Sequence, residues 1–169
     1  FATNPFVQVV PHDEGMVHDV AVEYGGQTFQ HPFTSEGWDY DWSDARDALD
    51  HVWLAPDQDY KVWFRLRFVS STVQKGFEFR VNGQPIPLNV SLDFSTDSTA
   101  PGTVGAIYTG VIPRSVIALN RADTALTFHV NELAPPQLIK TIDSPPPPRI
   151  GLQLLTMNIG VVPEPKLQV

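Results

Sequence analysis

Trp38-Asp39-Tyr40-Asp41-Trp42 puts three aromatic rings and two carboxylates into five residues, with Asp44 and Asp47 just beyond. As one extended strand, this stretch turns Trp38, Tyr40 and Trp42 to one face and Asp39 and Asp41 to the other. Aromatic rings stack on the apolar C–H faces of sugars, and flanking carboxylates accept hydrogen bonds from sugar hydroxyls. The segment is therefore a candidate carbohydrate-binding edge. The same pattern also fits three core aromatics with both acids turned to water. Asp39, Asp41, Asp44 and Asp47 form a second candidate, a structural Ca²⁺ site, because they offer hard oxygen ligands within one short stretch. The glycine and closing glutamate of an EF-hand loop are absent, and solvated acids are the alternative.

Trp63, Arg65 and Arg67 make a third constellation, on one face of a strand, with Arg80 able to join from a neighbour. A tryptophan among arginines suits an interface or the recognition of acidic sugars. A layer of the same molecule covering this face is the plainer alternative. The five histidines (His12, His18, His31, His51, His129) lack zinc-ligand spacing. No Gly-x-Ser-x-Gly and no glycine-rich phosphate loop is present. Two acids for glycoside hydrolysis need a separation of about 5–10 Å that only tertiary structure sets, so a polysaccharide-degrading enzyme stays as an alternative. Asn89-Val90-Ser91 matches a glycosylation acceptor.

The elements that must position these residues read as strands. Tyr60, Val62, Phe64, Leu66 and Phe68 alternate with Lys61, Trp63, Arg65 and Arg67, which buries the first set and exposes the second. Phe77, Phe79 and Val81 alternate likewise with Glu78 and Arg80 and run into the turn pair Asn82-Gly83. A hairpin joining 60–69 to 76–81 is expected, with Phe64, Leu66, Phe68, Phe77, Phe79 and Val81 at the centre of the core. Further strands are expected at 6–10, 16–24, 28–31, 51–54, 86–94, 104–111, 125–130, 137–142 and 150–161. One helical turn is expected over Ser43–Asp50, where Ser43 can cap and Asp44 and Asp47 suit a helix N-terminus. Short strands separated by turn signals indicate a sandwich or barrel. The expected fold is all-β, a two-sheet antiparallel jelly-roll β-sandwich spanning 1–169 as a single domain.

Composition narrows the function. The chain has 169 residues, no cysteine and a formal charge of −8. Disulfides, thiolate zinc sites and cysteine nucleophiles are excluded. Residues 1–60 hold twelve acids and one base, whereas residues 61–80 hold five bases and one acid. That balance argues against nucleic acid, which needs a dominant basic surface. It lets the acidic third meet the basic strand, within one molecule or between copies of itself. No apolar run approaches the roughly 20 residues of a membrane span. The start at Phe1 fits removal of a signal peptide or a boundary within a longer protein.

Tyr60 to Val130 resembles the galactose-binding-like β-sandwich domains of carbohydrate-binding modules. Three segments carry the likeness: Phe77-Glu-Phe-Arg-Val-Asn-Gly-Gln-Pro-Ile86, Val111-Ile-Pro-Arg-Ser-Val-Ile-Ala-Leu119, and Asn120 to Val130. In the last, Arg121-Ala-Asp123 replaces the usual Gly-x-Asn turn. The resemblance implies a non-catalytic carbohydrate-binding module of a secreted or surface protein and carries no ligand residues with it. The leading alternative is a structural jelly-roll subunit of a virion shell or extracellular fibre that self-assembles through its strand edges and charged faces.

Overall fold

The computed structural model describes residues 6–11, 17–24, 27–39, 42–93, 102–135 and 149–162, with backbone only for 6–34, 92 and 93. Its strands are β1 (Phe6–Pro11), β2 (Val17–Tyr24), β3 (Gln27–Glu36), β4 (Trp38–Asp39), β5 (Trp42–Ser43), β6 (Asp47–Val52), β7 (Tyr60–Phe68), β8 (Glu78–Val81), β9 (Gln84–Pro85), β10 (Leu88–Asp93), β11 (Val104–Ile112), β12 (Thr124–His129) and β13 (Leu152–Val161). Two short helices, α1 (Ser71–Lys75) and α2 (Arg114–Ile117), interrupt them. The expected all-β, two-sheet antiparallel sandwich is what forms. The first sheet runs β10-β11-β7-β13-β1-β2-β3, and the second runs from β3 through β6-β12-β8-β9. β3 belongs to both: residues 27–34 pair with β2, while Ser35 and Glu36 pair with β6. The expected strand at 137–142 lies outside the described residues.

β7 forms as its alternation dictates. Tyr60, Val62, Phe64, Leu66 and Phe68 are buried, Lys61 is exposed, and Trp63, Arg65 and Arg67 are half-buried. The pairing of this strand corrects the expected hairpin. β7 pairs with β11 and β13 in the first sheet, whereas β8 pairs with β12 and β9 in the second. Between them Ser70 caps α1, its Oγ accepting the Val73 N–H at 3.2 Å. That helical turn lifts the chain from one sheet to the other. Alternation specifies which face is buried, not which strand lies alongside, so two strands facing one core from opposite sheets read like a hairpin.

The core between the sheets is largely aromatic. Phe64 stacks on Tyr108 at 5.4 Å between centroids, and meets Phe79 at 5.0 Å and the edge of Phe128 at 5.6 Å. Leu66, Phe68, Phe79 and Val81 are buried as expected, and Phe77 packs against the cluster partly buried. Asn82 and Gly83, with φ of 49° and 82°, form the turn from β8 to β9. Both positive values suit a type I′ hairpin, which Asn-Gly accommodates best.

The expected helical turn at Ser43–Asp50 is instead two strands, β5 and β6. Ser43 is fully buried, and its Oγ accepts the Leu152 N–H at 2.9 Å rather than capping a helix. β6 gains backbone pairing from β3 and β12 on its two sides. Acids at a helix N-terminus contribute only about 0.3–1 kcal/mol each, too little to outweigh a strand position ready to be filled.

Candidate functional site

Trp38 to Trp42 is not one strand but a miniature hairpin. Trp38 is registered against Ser43, and Asp39 against Trp42. Gly37 makes the approach possible with φ of +78°, and its carbonyl accepts the Asp44 N–H at 2.9 Å. Trp38 is 1% exposed, packs edge-on against Phe128 at 5.7 Å and donates from Nε1 to the Leu49 carbonyl at 3.3 Å. This corrects its assignment to a sugar-facing edge: a ring in the core cannot stack on a ligand. Trp42 is half-buried and packs against the core where β5 meets Gln153 of β13. Tyr40 and Asp41 lie outside the described residues.

The acids of that segment are spread out. Asp39 is exposed opposite Trp42, and Asp44 is exposed after β5. Asp47 begins β6, where its Oδ1 lies 2.6 Å from Nδ1 of His129, the residue registered beside it on β12. Nε2 of the same histidine meets Asn131 Oδ1 at 3.0 Å. Among the described residues no three His, Asp or Glu side chains converge on a point that could hold a metal ion.

The stripe on β7 fares differently. Trp63 lies at the centre of a depression of about 420 Å³ on the outer face of the first sheet. Its lining comes from four adjacent strands: Lys61 and Trp63 from β7, Thr109 and Val111 from β11, Asn89 from β10, and Asn158 from β13, with Gly160 beside them. Register explains the grouping. Asn89 pairs with Thr109, Thr109 with Trp63, and Trp63 with Asn158, so one rung crosses four strands. At about 4.8 Å between strands that rung is roughly 14 Å long. The next rung holds Val111, Lys61 and Gly160. Gly160 contributes no side chain to that rung. Arg65 and Arg67 continue along β7 outside the depression, and Arg67 donates to Gln153 Oε1 at 3.4 Å.

Asn158 reaches this face because β13 contains an irregularity. Register with β7 shifts between Leu154 and Thr156. Leu152 and Leu154 are buried before the shift, and Met157 and Ile159 after it. The extra residue, Leu155, restores the apolar side to the core and turns Thr156 and Asn158 outward. Asn158 Oδ1 is buried without a hydrogen-bond partner among the described residues. Leaving such an oxygen unpaired costs about 1–3 kcal/mol.

Sequence reasoning found Trp63 but missed Asn89, Thr109, Asn158 and Lys61 as its companions. The spacing Leu152-x-Leu154-x-x-Met157-x-Ile159 was the available signal for Asn158, since the broken alternation marks the shift. The depression offers one aromatic face, two amides, a hydroxyl and an ammonium group. Those groups can stack on a ring and exchange hydrogen bonds with several hydroxyls. No protein-family model matches the chain, and no curated protein matches it.

Proposed function

We propose that this protein binds carbohydrate on the outer face of the first sheet, with Trp63 as the stacking platform. The observation that carries this is the rung Asn89–Thr109–Trp63–Asn158, gathered in a depression of about 420 Å³. A volume of that size lies in the range of small-molecule sites, about 300–1,000 Å³. An aromatic floor with amide and hydroxyl walls suits a sugar, which has an apolar ring face and a polar rim. The resemblance of residues 60–130 to galactose-binding-like sandwiches points the same way. These are binding groups, and the role is that of a non-catalytic module of a secreted or surface protein. A glycan array tests it: hits that disappear in Trp63→Ala support the site, and an empty array removes it. Incubation of any bound polysaccharide with the protein, followed by a reducing-end assay, separates binding from degradation.

A second role, self-assembly, is favoured by one observation. β10 pairs only with β11 among the described residues and stands at the end of the strand order. Asn89, Val90 and Ser91 are all exposed there, Val90 at 59%. An uncovered edge of this kind can pair with another chain. The size of the purified protein in solution, measured across salt and calcium concentrations, distinguishes a monomeric binder from a shell or fibre subunit.

A further inference from the structure

We infer that two copies of this protein join by antiparallel pairing of β10 with β10 of the second copy, about a two-fold axis at Val90; this rests on the self-assembly role proposed above. The two ends of the strand order differ in how they meet a neighbour. β9, at the end of the second sheet, has two residues, and one of them is Pro85, which lacks a backbone N–H. A short strand with a proline is a blunted edge. β10, at the end of the first sheet, has six residues in unbroken register with β11, without lysine, proline or bulge. Of the usual guards against edge pairing it carries only a charge, Asp93, at its last position. Asn89, Val90 and Ser91 are exposed.

The sequence of this edge points to its partner. Val90 is registered with Tyr108, a core residue, so Leu88, Val90 and Leu92 hold the inward positions by register and Asn89, Ser91 and Asp93 the outward ones. Val90 is nonetheless 59% exposed, a valine on the apolar side of the sandwich left open at the end of the sheet. Read outward from Val90, the strand is a near-palindrome, Leu-Asn-Val-Ser-Leu. A two-fold axis at Val90 therefore sets it against its own counterpart, Asn89 against Ser91, and Leu88 against Leu92. Apolar residues meet apolar ones and polar residues meet polar ones. Residues directly opposite share a face, so the inner and outer faces of the two sheets run on continuously. Asp93 falls opposite Pro87 of the second copy, so no two charges meet. The pairing consumes the open edge of both copies and closes at a dimer.

The test uses the protein produced in bacteria, so that Asn89 carries no glycan. Sedimentation over a range of concentrations should give a monomer–dimer equilibrium that raised salt does not weaken, because the paired residues are neutral. Val90→Lys sets two ammonium groups against each other at the axis and should weaken dimerisation about tenfold or more. At a dilution where the parent is monomeric, this variant should melt like the parent, since Val90 is exposed. The chain has no cysteine, so a single introduced thiol reports the register. Val90→Cys should yield a disulfide-linked dimer on mild oxidation, because directly opposed Cα atoms lie about 4.5–5.5 Å apart. Asn89→Cys alone should not, because its counterpart is displaced by two residues along the strand, roughly 8 Å away. Mixing Asn89→Cys with Ser91→Cys should restore the cross-link. A parent that stays monomeric at every concentration removes both this pairing and the self-assembly role. Association that persists in Val90→Lys overturns the β10 pairing and leaves self-assembly through another surface. Thiols that link equally at positions 89 and 90 overturn the axis at Val90.

Discussion

The rings of Phe64 on β7 and Phe79 on β8 meet across the two sheets with centroids 5.0 Å apart. Phe64 also touches Phe77, Tyr108 and Phe128, so one side chain joins residues from β7, β8, β11 and β12 and the segment before β8. Phe64→Ala should therefore cost about 3–5 kcal/mol, the range for a fully buried phenylalanine. Denaturant unfolding measures it, and a loss below about 1 kcal/mol would contradict this packing.

A second expectation concerns Gly37. Its φ is +78°, and a Cβ built there would lie 2.7 Å from the Asp47 carbonyl oxygen. Alanine thus meets both a disfavoured backbone conformation and a backbone clash. Gly37→Ala should destabilise by about 2 kcal/mol or more. Thermal unfolding that matches the parent would show that the turn into β4 can be built another way.

Much of the fold was legible because alternation reports burial directly. Tyr60 to Phe68 gave the inner and outer faces of β7 correctly, and Asn82-Gly83 marked a true two-residue turn. What alternation does not encode is the neighbour. β7 and β8 share a core, so their patterns match although their backbones never pair. Trp38-x-Tyr40-x-Trp42 illustrates the opposite failure: its regular spacing suggests one strand, but the chain reverses between Asp39 and Trp42. The candidate site was less legible still. Trp63 stood out by type, whereas Asn89, Thr109 and Asn158 are ordinary polar residues until register aligns three distant segments beside it.

Acid should weaken one surface tie. The Asp59 carboxylate accepts the Arg114 backbone N–H at 2.7 Å and faces its guanidinium at 3.3 Å, linking the approach to β7 with the start of α2. These contacts, the backbone hydrogen bond first, hold the Asp59 carboxyl below its ordinary value of 3.8. A lowered folded value favours the ionised form, so the contribution is present above the unfolded value and lost as pH falls through the folded one. The pair is exposed and the effect small. The melting difference between the parent and Asp59→Ala should be fullest near neutral pH and shrink below about pH 4, near the unfolded carboxyl value. A difference independent of pH would assign the contribution to packing.

The two tryptophans singled out by type should separate stability from binding. Trp38 is 1% exposed, against Phe128, and its indole N–H is tied to the Leu49 carbonyl. Trp38→Ala should cost about 3–5 kcal/mol, as large aromatic truncations in cores do. Any loss of glycan affinity should then follow the fraction unfolded. Trp63 instead stands half-buried on the outer face, where truncation removes contacts to one side of a sheet. Trp63→Ala should destabilise by no more than about 1 kcal/mol, the scale of one lost cross-strand pair, while removing glycan binding from fully folded protein. Unfolding curves and affinity measured on the same two variants check both halves. If Trp63→Ala unfolds the domain as Trp38→Ala does, the outer face is covered by another part of the chain and Trp63 is a packing residue. If it folds and still binds, the platform lies elsewhere.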